Sequence, residues 1–238
     1  MSQYRKAPVH YPCEMTGGGP KECFFVEGDS AAKSVSQVRD TSCQAVLALQ
    51  GKPMNVLRAS RKSVATNLVL TRVAETLLDP SSVGENSSPE WPDALNDSAR
   101  CAYDRIVLLM DPDADGIHCG VLMMGFFQRF APGLIASGRL LIVRPPMFVF
   151  RFAKSVAPKS NSVDQNCVVA SSPEHARAVE SVLKKRGLTS YRKTKHRGLA
   201  SLDAPILSRF CVAPETRQAN ALTPDEIDAA VSMFSGGS

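Results

Sequence analysis

The chain lacks several features that mark specialised classes of protein. It has seven cysteines in 238 residues but no C-x-x-C pair, so neither a zinc site nor a disulfide framework is indicated. No apolar run approaches the ~20 residues of a membrane-spanning helix, and the N-terminus lacks the apolar core of a signal peptide. A cytoplasmic protein with reduced thiols and no membrane partner is therefore expected. "TGGGP" is not followed by G-K-[ST], which argues against a phosphate-binding P-loop.

Composition and charge favour a folded, mildly basic protein. Apolar residues make up 44% of the chain, enough to bury a core, and the net charge of +5 does not by itself indicate nucleic-acid binding. The charge is unevenly placed. Residues 79–104 hold six acids and one base, whereas residues 184–197 hold seven Lys or Arg and no acid. The basic run is either a solvated face or a surface that binds phosphates.

The order of apolar runs predicts an α/β fold. Buried strands are expected at residues 23–26, 43–49, 105–110 and 139–143. Helices are expected at residues 30–39, 55–78, 117–130, 174–186 and 223–234. Strands that alternate with helices predict a mainly parallel sheet flanked by helices. The Pro- and Ser-rich acidic loop at residues 79–97 is expected to lack regular structure.

Acidic residues directly follow two of the predicted strands. "EGDSA" places Glu27 and Asp29 after one strand, and "DPDADG" places Asp111, Asp113 and Asp115 after another. Ligand sites of parallel sheets lie at the carboxyl ends of their strands, so these acids are expected to meet. Mg²⁺ takes few carboxylates and fills its remaining positions with water and phosphate oxygens. The sequence predicts a magnesium site; the alternative is that the acids only cap helices and fill polar turns.

The D-x-D-x-D-G pattern also begins an EF-hand calcium loop, but the rest of the loop is missing. With Asp111 as the first position, Gly116 falls at the required sixth position. The twelfth position is Leu122 instead of a bidentate glutamate. The preceding "RIVLLM" predicts a strand, whereas an EF-hand needs a helix there. A calcium loop is therefore excluded.

Six segments follow one another in a recognisable order. They are "FFVEGDSA", "LQGKPMNV", "DPDADGIH", "FFQRFAPGLIASGRLLIVRPPMFVF", "KHRGLASL" and "APETR". This series resembles the Toprim-containing half of the B subunit of bacterial type IIA DNA topoisomerases, DNA gyrase and topoisomerase IV. The resemblance covers much of residues 22–220. It implies a lead-in at residues 1–21, a Toprim domain at residues 22–152, and a helical and irregular C-terminal tail at residues 153–238.

The resemblance also implies roles for single residues around the acidic turns. Glu27, Asp111 and Asp113 match the magnesium ligands, Asp115 is an additional or alternating ligand, and Glu27 is in addition the expected catalytic residue. Asp29 and Ser30 would line the same turn. The histidine that follows the acidic motif in the family matches His118, which is equally well explained as a polar residue at a helix start.

Contacts with DNA are expected at one lysine near these turns and at three residues of the basic run. Lys52 matches a family lysine close to DNA. The other expected contacts are Lys193, Lys195 and Arg197.

The function implied by the resemblance is that of an ATP-hydrolysing type IIA topoisomerase subunit, incomplete on its own and associated with the nucleoid. Its expected partners are DNA, an A-type subunit that carries the catalytic tyrosine, and a separate ATPase subunit, since residues 1–21 are too few for an ATP-binding domain. One alternative is a non-catalytic module that binds DNA or a topoisomerase and regulates it. A Toprim nuclease or primase-like protein is another.

Overall fold

The computed structural model describes residues 8–79, 91–153 and 166–235. Its strands are β1 His10–Tyr11, β2 Glu22–Glu27, β3 Gln44–Leu49, β4 Arg105–Leu108, β5 Leu140–Val143, β6 Phe148–Phe152, β7 Cys167–Ala170, β8 Tyr191–Lys195 and β9 Ala219–Ala221. Its helices are α1 Gly28–Ser36, α2 Arg61–Ala65, α3 Leu68–Leu77, α4 Trp91–Ala94, α5 Ala114–Phe130, α6 Pro132–Ala136, α7 Pro173–Lys185, α8 Ala204–Leu207 and α9 Pro224–Ser235. Across these described ranges, no helix combines the length and the apolar character needed to cross a membrane.

The main sheet has six strands in the order β1-β3-β2-β4-β5-β9. The four inner strands, β3, β2, β4 and β5, run parallel to one another, and the short edge strands β1 and β9 pair antiparallel. The predicted mixed α/β fold with a mainly parallel sheet is thereby confirmed. All four strands expected from the apolar runs lie in the centre of this sheet.

Both faces of the main sheet are covered. On one face Phe25 packs with residues of α3 and α5, and on the other Phe24 and Val26 pack with α1 and with residues 199–212. Side chains that alternate along a strand point to opposite faces, so a strand covered on both sides must be apolar throughout. This explains why the inner strands appear in the sequence as continuous apolar runs.

A second sheet of three strands, in the order β7-β6-β8, is entirely antiparallel. Helix α7 packs on it around a small apolar core formed by Phe148, Phe150, Phe152, Ala176 and Leu183. The tail expected to be helical and irregular thus also supplies two strands of this sheet, β7 and β8, and the edge strand β9 of the main sheet. Strand β6 precedes residue 153, but it pairs with both β7 and β8.

Two stretches differ from their expected local structure. The helix expected at residues 55–78 is divided into α2 and α3, because Ser60 and Asn67 each act as the N-cap of a new helix. The Ser60 side chain accepts a hydrogen bond of 3.2 Å from Ser63 N, and the Asn67 side chain accepts one of 3.1 Å from Leu70 N. Within the acidic loop expected at residues 79–97, α4 is helical, and Trp91 packs against Phe126 and Phe130 of α5. Residues 80–90 of that loop lie outside the described residues.

Candidate metal centre

The acidic turns lie at one end of the main sheet. Strands β2 and β4 are parallel neighbours, with Phe25 opposite Leu108, so the chain leaves both strands at the same edge. Glu27 is the last residue of β2, and α1 starts at the next residue, Gly28, whose φ of 76° is a conformation that favours glycine. Asp111 follows three residues after the end of β4. The two turns predicted to meet therefore lie at the same edge of the sheet.

The negative charge of the Glu27 carboxylate is only partly balanced by the groups around it. Its Oε2 atom is buried and has no hydrogen-bond partner. Burial raises the pKa of Glu27 above its usual value, and the neighbouring charges of Asp111, Asp113 and Asp115 raise it further, while Lys52 opposes the shift. A carboxyl in this setting either keeps a proton or needs a cation beside it.

Asp111 is held by a single backbone contact. Its Oδ1 accepts a hydrogen bond of 2.8 Å from the backbone N–H of Leu199, a residue 88 positions later in the chain. Burial raises the pKa of Asp111, the Leu199 N–H lowers it, and the charge of Asp113 raises it. The sequence did not predict the contact with Leu199, although "KHRGLASL" belonged to the ordered series of motifs.

The other two aspartates have partners within the chain. Asp113 is the N-cap of α5 and accepts a hydrogen bond from Gly116 N at 2.9 Å. Asp115 is exposed and pairs with Lys52, whose Nζ lies 2.8 Å from its Oδ1. The hydrogen bond and the charge of Lys52 hold the pKa of Asp115 below its usual range. The capping alternative raised from the sequence thus describes Asp113, while Glu27 and Asp111 do not act as caps through their side chains.

Two carboxylates at this edge of the sheet, those of Glu27 and Asp111, match the number that Mg²⁺ commonly takes from a protein. In the described part of the chain, no three or more His, Cys, Asp or Glu side chains are grouped so that they could hold a metal ion together. Mg²⁺ does not need such a group, because it is commonly bound by one or two carboxylates plus water and substrate phosphates. A cation beside Glu27 and Asp111 would offset the burial and the repulsion between carboxylates that raise their pKa values, and it would give the buried oxygen of Glu27 a partner.

Two further residues of the acidic motifs have partners outside the carboxylate group. The His118 ring stacks on the Phe234 ring of α9, with centroids 5.4 Å apart, so its described contact is one of packing. Asp29 accepts a hydrogen bond from the side-chain amide of Gln50. Ser30 is exposed beside it.

The expected DNA contacts fall in two places. Lys52 lies beside the carboxylates. The other three lie on or just after β8, where Lys195 and Arg197 are exposed. Lys193 is engaged within the small sheet: its Nζ is 2.9 Å from Glu180 Oε1 and 4.8 Å from the centre of the Phe148 ring. The structure therefore gives Lys193 a local packing role.

A buried ion pair far from the carboxylates accounts for the "APETR" segment. Glu22, fully buried at the start of β2, receives Arg217 in a two-pronged interaction and Gln44 Nε2 at 2.8 Å. Arg217 also donates to the Val212 carbonyl at 2.7 Å. This network ties the C-terminal segment to the central strand, and no sequence pattern indicated a pairing partner for Arg217.

Comparison with known proteins decides the family. A family model described as "Toprim domain" matches residues 22–145, which is more than half of the chain. The chain belongs to the Toprim family. The match covers the four inner strands of the main sheet and all five acids of the two turns. It ends before β6, so the Toprim domain of this chain is followed by the small antiparallel sheet and the segment that contacts Asp111.

Three curated relatives extend the similarity beyond the Toprim domain. The chain is 30% identical to the B subunit of DNA topoisomerase 4 from Enterococcus faecalis over 209 residues, 87% of this chain and 27% of that protein. It is 29% identical to the B subunit of DNA gyrase from Treponema pallidum over 206 residues, 87% of this chain and 29% of that protein. It is 28% identical to the gyrase B subunit of Thermotoga maritima over 222 residues, 93% and 31% of the two chains. The chain thus spans less than a third of the length of these relatives.

Proposed function

We propose that this Toprim protein is the magnesium-binding part of a type IIA DNA topoisomerase, which assists DNA cleavage and religation with a partner subunit that supplies the tyrosine. The observation that carries the proposal is the pair of crowded carboxylates, Glu27 and Asp111, at the carboxyl end of the parallel strands. Support also comes from the similarity to gyrase and topoisomerase IV B subunits over 87% of the chain.

Mg²⁺ would be held by Glu27 and Asp111, while Asp113 and Asp115, expected as further ligands from the sequence, are engaged by Gly116 N and by Lys52. When bound, the ion supplies positive charge that offsets the charge developing on the scissile phosphate. Both carboxylates lie close to the backbone of the sheet, so their positions are set by rigid elements. Phosphate and water oxygens would complete the set of ligands, which agrees with the absence of a third grouped carboxylate in the described residues.

Glu27 is suited to move a proton. In the chain without a cation, burial and the neighbouring carboxylates raise the pKa of Glu27, so it accepts a proton more readily than an ordinary glutamate. In cleavage, the partner's tyrosine oxygen attacks phosphorus and a ribose oxygen leaves, and Glu27 would protonate that oxygen. In religation the same carboxylate would take the proton back as the ribose hydroxyl attacks.

DNA would be bound through phosphates. Lys52 stands next to the carboxylates, and Lys195 and Arg197 are exposed near the end of β8. Lysine and arginine contacts to phosphates release counterions, so binding through them weakens steeply as salt is added. Lys193 contributes less in this proposal, because its ammonium group already pairs with Glu180.

The test is a cleavage assay that separates three outcomes. The chain is mixed with a cognate A-type subunit, plasmid DNA and Mg²⁺, and covalent protein–DNA adducts are counted. We expect adducts with the unaltered chain and at least a 100-fold loss (~2.7 kcal/mol) in Asp111→Asn and Glu27→Gln. Asp40→Asn is the matched control, since Asp40 lies in the turn before β3, at the opposite end of the sheet.

The other outcomes assign a different function. Binding of DNA or of the A-type subunit without adducts, in the presence of Mg²⁺, would contradict the proposal and favour a non-catalytic regulatory module. Nicking of plasmid by the chain alone would favour a nuclease. Calorimetric titration with Mg²⁺ tests the metal site independently of any partner, and the proposal predicts binding that Asp111→Asn abolishes.

A further inference from the structure

The carboxylate of Asp111 is completed by a segment that lies outside the Toprim match. The match ends at residue 145, whereas the hydrogen bond to Asp111 Oδ1 comes from Leu199 N, at 2.8 Å. This contact occupies one oxygen of the carboxylate. The other oxygen, Oδ2, lies close to where a side chain at position 198 would begin: a Cβ built on Gly198 would be only 2.4 Å from it.

Gly198 is not required by its own backbone. Its φ of −166° and ψ of 174° are extended values that any residue adopts. A side chain is excluded by Asp111, since a Cβ would lie 2.8 Å from the carboxyl carbon and 3.0 Å from Oδ1 in addition to its contact with Oδ2. The atoms nearest to that Cβ all belong to Asp111, so the glycine makes room for this carboxylate.

The segment that touches Asp111 is itself fixed. The Leu199 side chain is fully buried in the core between the sheet and α1. Ser201 Oγ donates to the Gly198 carbonyl at 2.7 Å, and His196 Nδ1 is hydrogen-bonded to the Ser201 carbonyl at 2.9 Å. The His196 N–H donates to the Met147 carbonyl at 2.8 Å, which joins the segment to the start of the small sheet. The contact with Asp111 is thus made from a rigid support.

We propose that the Gly198–Leu199 peptide is a positioning element for the metal site: its N–H holds Asp111 Oδ1, and its missing Cβ leaves Oδ2 free to bind the cation. The inference rests on the proposed function. Groups that orient a metal-binding carboxylate from behind change metal affinity by roughly 10- to 100-fold when they are removed. It follows that residues 22–145 supply the ligands, while the segment after the small sheet sets the geometry of one of them.

The first test compares Leu199→Pro with Leu199→Ala in the full chain. Both variants remove most of the buried leucine side chain, but only proline removes the N–H. Proline is tolerated at this position, because Leu199 is the first residue of a 3₁₀ turn and the residue before it is extended. We expect Leu199→Pro to bind Mn²⁺ roughly 10-fold more weakly than Leu199→Ala in a calorimetric titration.

The second test compares Gly198→Ala with Gly19→Ala. The Cβ added at position 198 meets the Asp111 carboxylate, whereas the Cβ added at position 19 meets nothing within 4 Å. We expect Gly198→Ala to weaken Mn²⁺ binding at least 10-fold, and Gly19→Ala to leave it unchanged. Circular dichroism of all four variants checks that each one is folded, and the second pair decides the question if the proline variant is not folded.

The outcomes separate the inference from the proposed function. If the unaltered chain binds no Mn²⁺, the proposed function fails and the inference fails with it. If the unaltered chain binds Mn²⁺ and the folded members of both pairs bind it equally well, the metal site stands and the positioning role is refuted. The inference is supported if Leu199→Pro binds Mn²⁺ more weakly than Leu199→Ala, and Gly198→Ala more weakly than Gly19→Ala.

Discussion

Replacing Arg217 by methionine is expected to destabilise the fold strongly without touching the candidate metal site. The change leaves the Glu22 carboxylate, which is fully buried, without its main partner. Removing one member of a buried ion pair typically costs 3–5 kcal/mol. Glu22 keeps the Gln44 amide at 2.8 Å, and Arg105 Nη1 remains 3.5 Å away, so the lower end of that range, about 3 kcal/mol, is expected.

The assay is thermal unfolding of the purified chain. For a protein of this size, each kcal/mol lowers the midpoint by roughly 2–4 °C, so Arg217→Met should unfold roughly 6–12 °C below the unaltered chain. The double variant Glu22→Leu/Arg217→Met should recover most of the loss, because a buried ion pair replaced by apolar residues leaves no unpaired charge. Arg177→Met is the control. Arg177 forms an exposed ion pair with Glu174, so this variant should unfold near the temperature of the unaltered chain.

Two results would refute this reasoning. A midpoint of Arg217→Met close to that of the parent would mean that Glu22 does not depend on Arg217. A double variant no more stable than Arg217→Met would mean that lost packing, and not an uncompensated charge, causes the effect. Mg²⁺ affinity should stay unchanged, because Glu22 and Glu27 are at opposite ends of β2, about 17 Å apart at ~3.3 Å per residue.

Two further predictions concern the charges around the candidate site. Because the pKa of Glu27 is raised in the folded chain, the folded state binds protons more tightly than the unfolded state, and stability without metal should fall as pH rises from the ordinary value of 4.5 through the raised value. Glu27→Gln should flatten this fall in thermal unfolding at pH values above 4.5, and an equally steep fall would argue against the crowded carboxylates. Lys52→Ala should lower the slope of log binding constant against log salt by about one if Lys52 contacts a phosphate. The unfolding midpoint of Lys52→Ala should hardly move, since the ion pair with Asp115 is exposed, and an unchanged salt slope would exclude the contact.

The parallel sheet and the place of the acidic turns could be predicted because they depend on short-range pattern. A strand covered on both faces must be apolar along its whole length, and "CFFV" and "RIVLLM" carry that signal without any knowledge of their neighbours. The acids that follow these strands then lie at the strands' carboxyl ends by geometry alone. The family resemblance added the order of the motifs, which local patterns do not provide.

The small sheet was harder to predict because two of its three strands, β7 and β8, are only partly buried. Strand β8 has the sequence "YRKTK", a pattern that indicates a solvated basic run. In the structure, Lys193 lies over the Phe148 and Phe150 rings while it pairs with Glu180. A long lysine side chain can cover apolar surface with its stem and keep its charge at the edge, so a charged sequence can still form a packed strand.

The contacts across long sequence distances could not be predicted at all. Arg217 and Glu22 are 195 residues apart, and Leu199 and Asp111 are 88 apart. The second contact uses a backbone N–H, which every residue except proline carries, so no residue type marks it. What the sequence does show is a glycine at position 198, and only the structure gives the reason, because the neighbouring carboxylate occupies the space of its side chain.

The two glutamates of β2 show most directly why a cation is expected at one end of the sheet. Glu22 and Glu27 begin and end the same strand; Glu22 is fully buried, and Glu27 is partly buried. Glu22 is compensated within the chain by Arg217, so nothing further is needed at that end. Glu27 has a buried oxygen without a partner and, beside it, the like charges of the second acidic turn, which Lys52 offsets only in part. Burying a carboxylate without a counter-charge is costly, and the fold demonstrates at Glu22 how it avoids that cost. Glu27 Oε2 lacks such a partner in the described part of the chain, and in the proposed function a divalent cation shared with Asp111 would supply at Glu27 the charge that Arg217 supplies at Glu22.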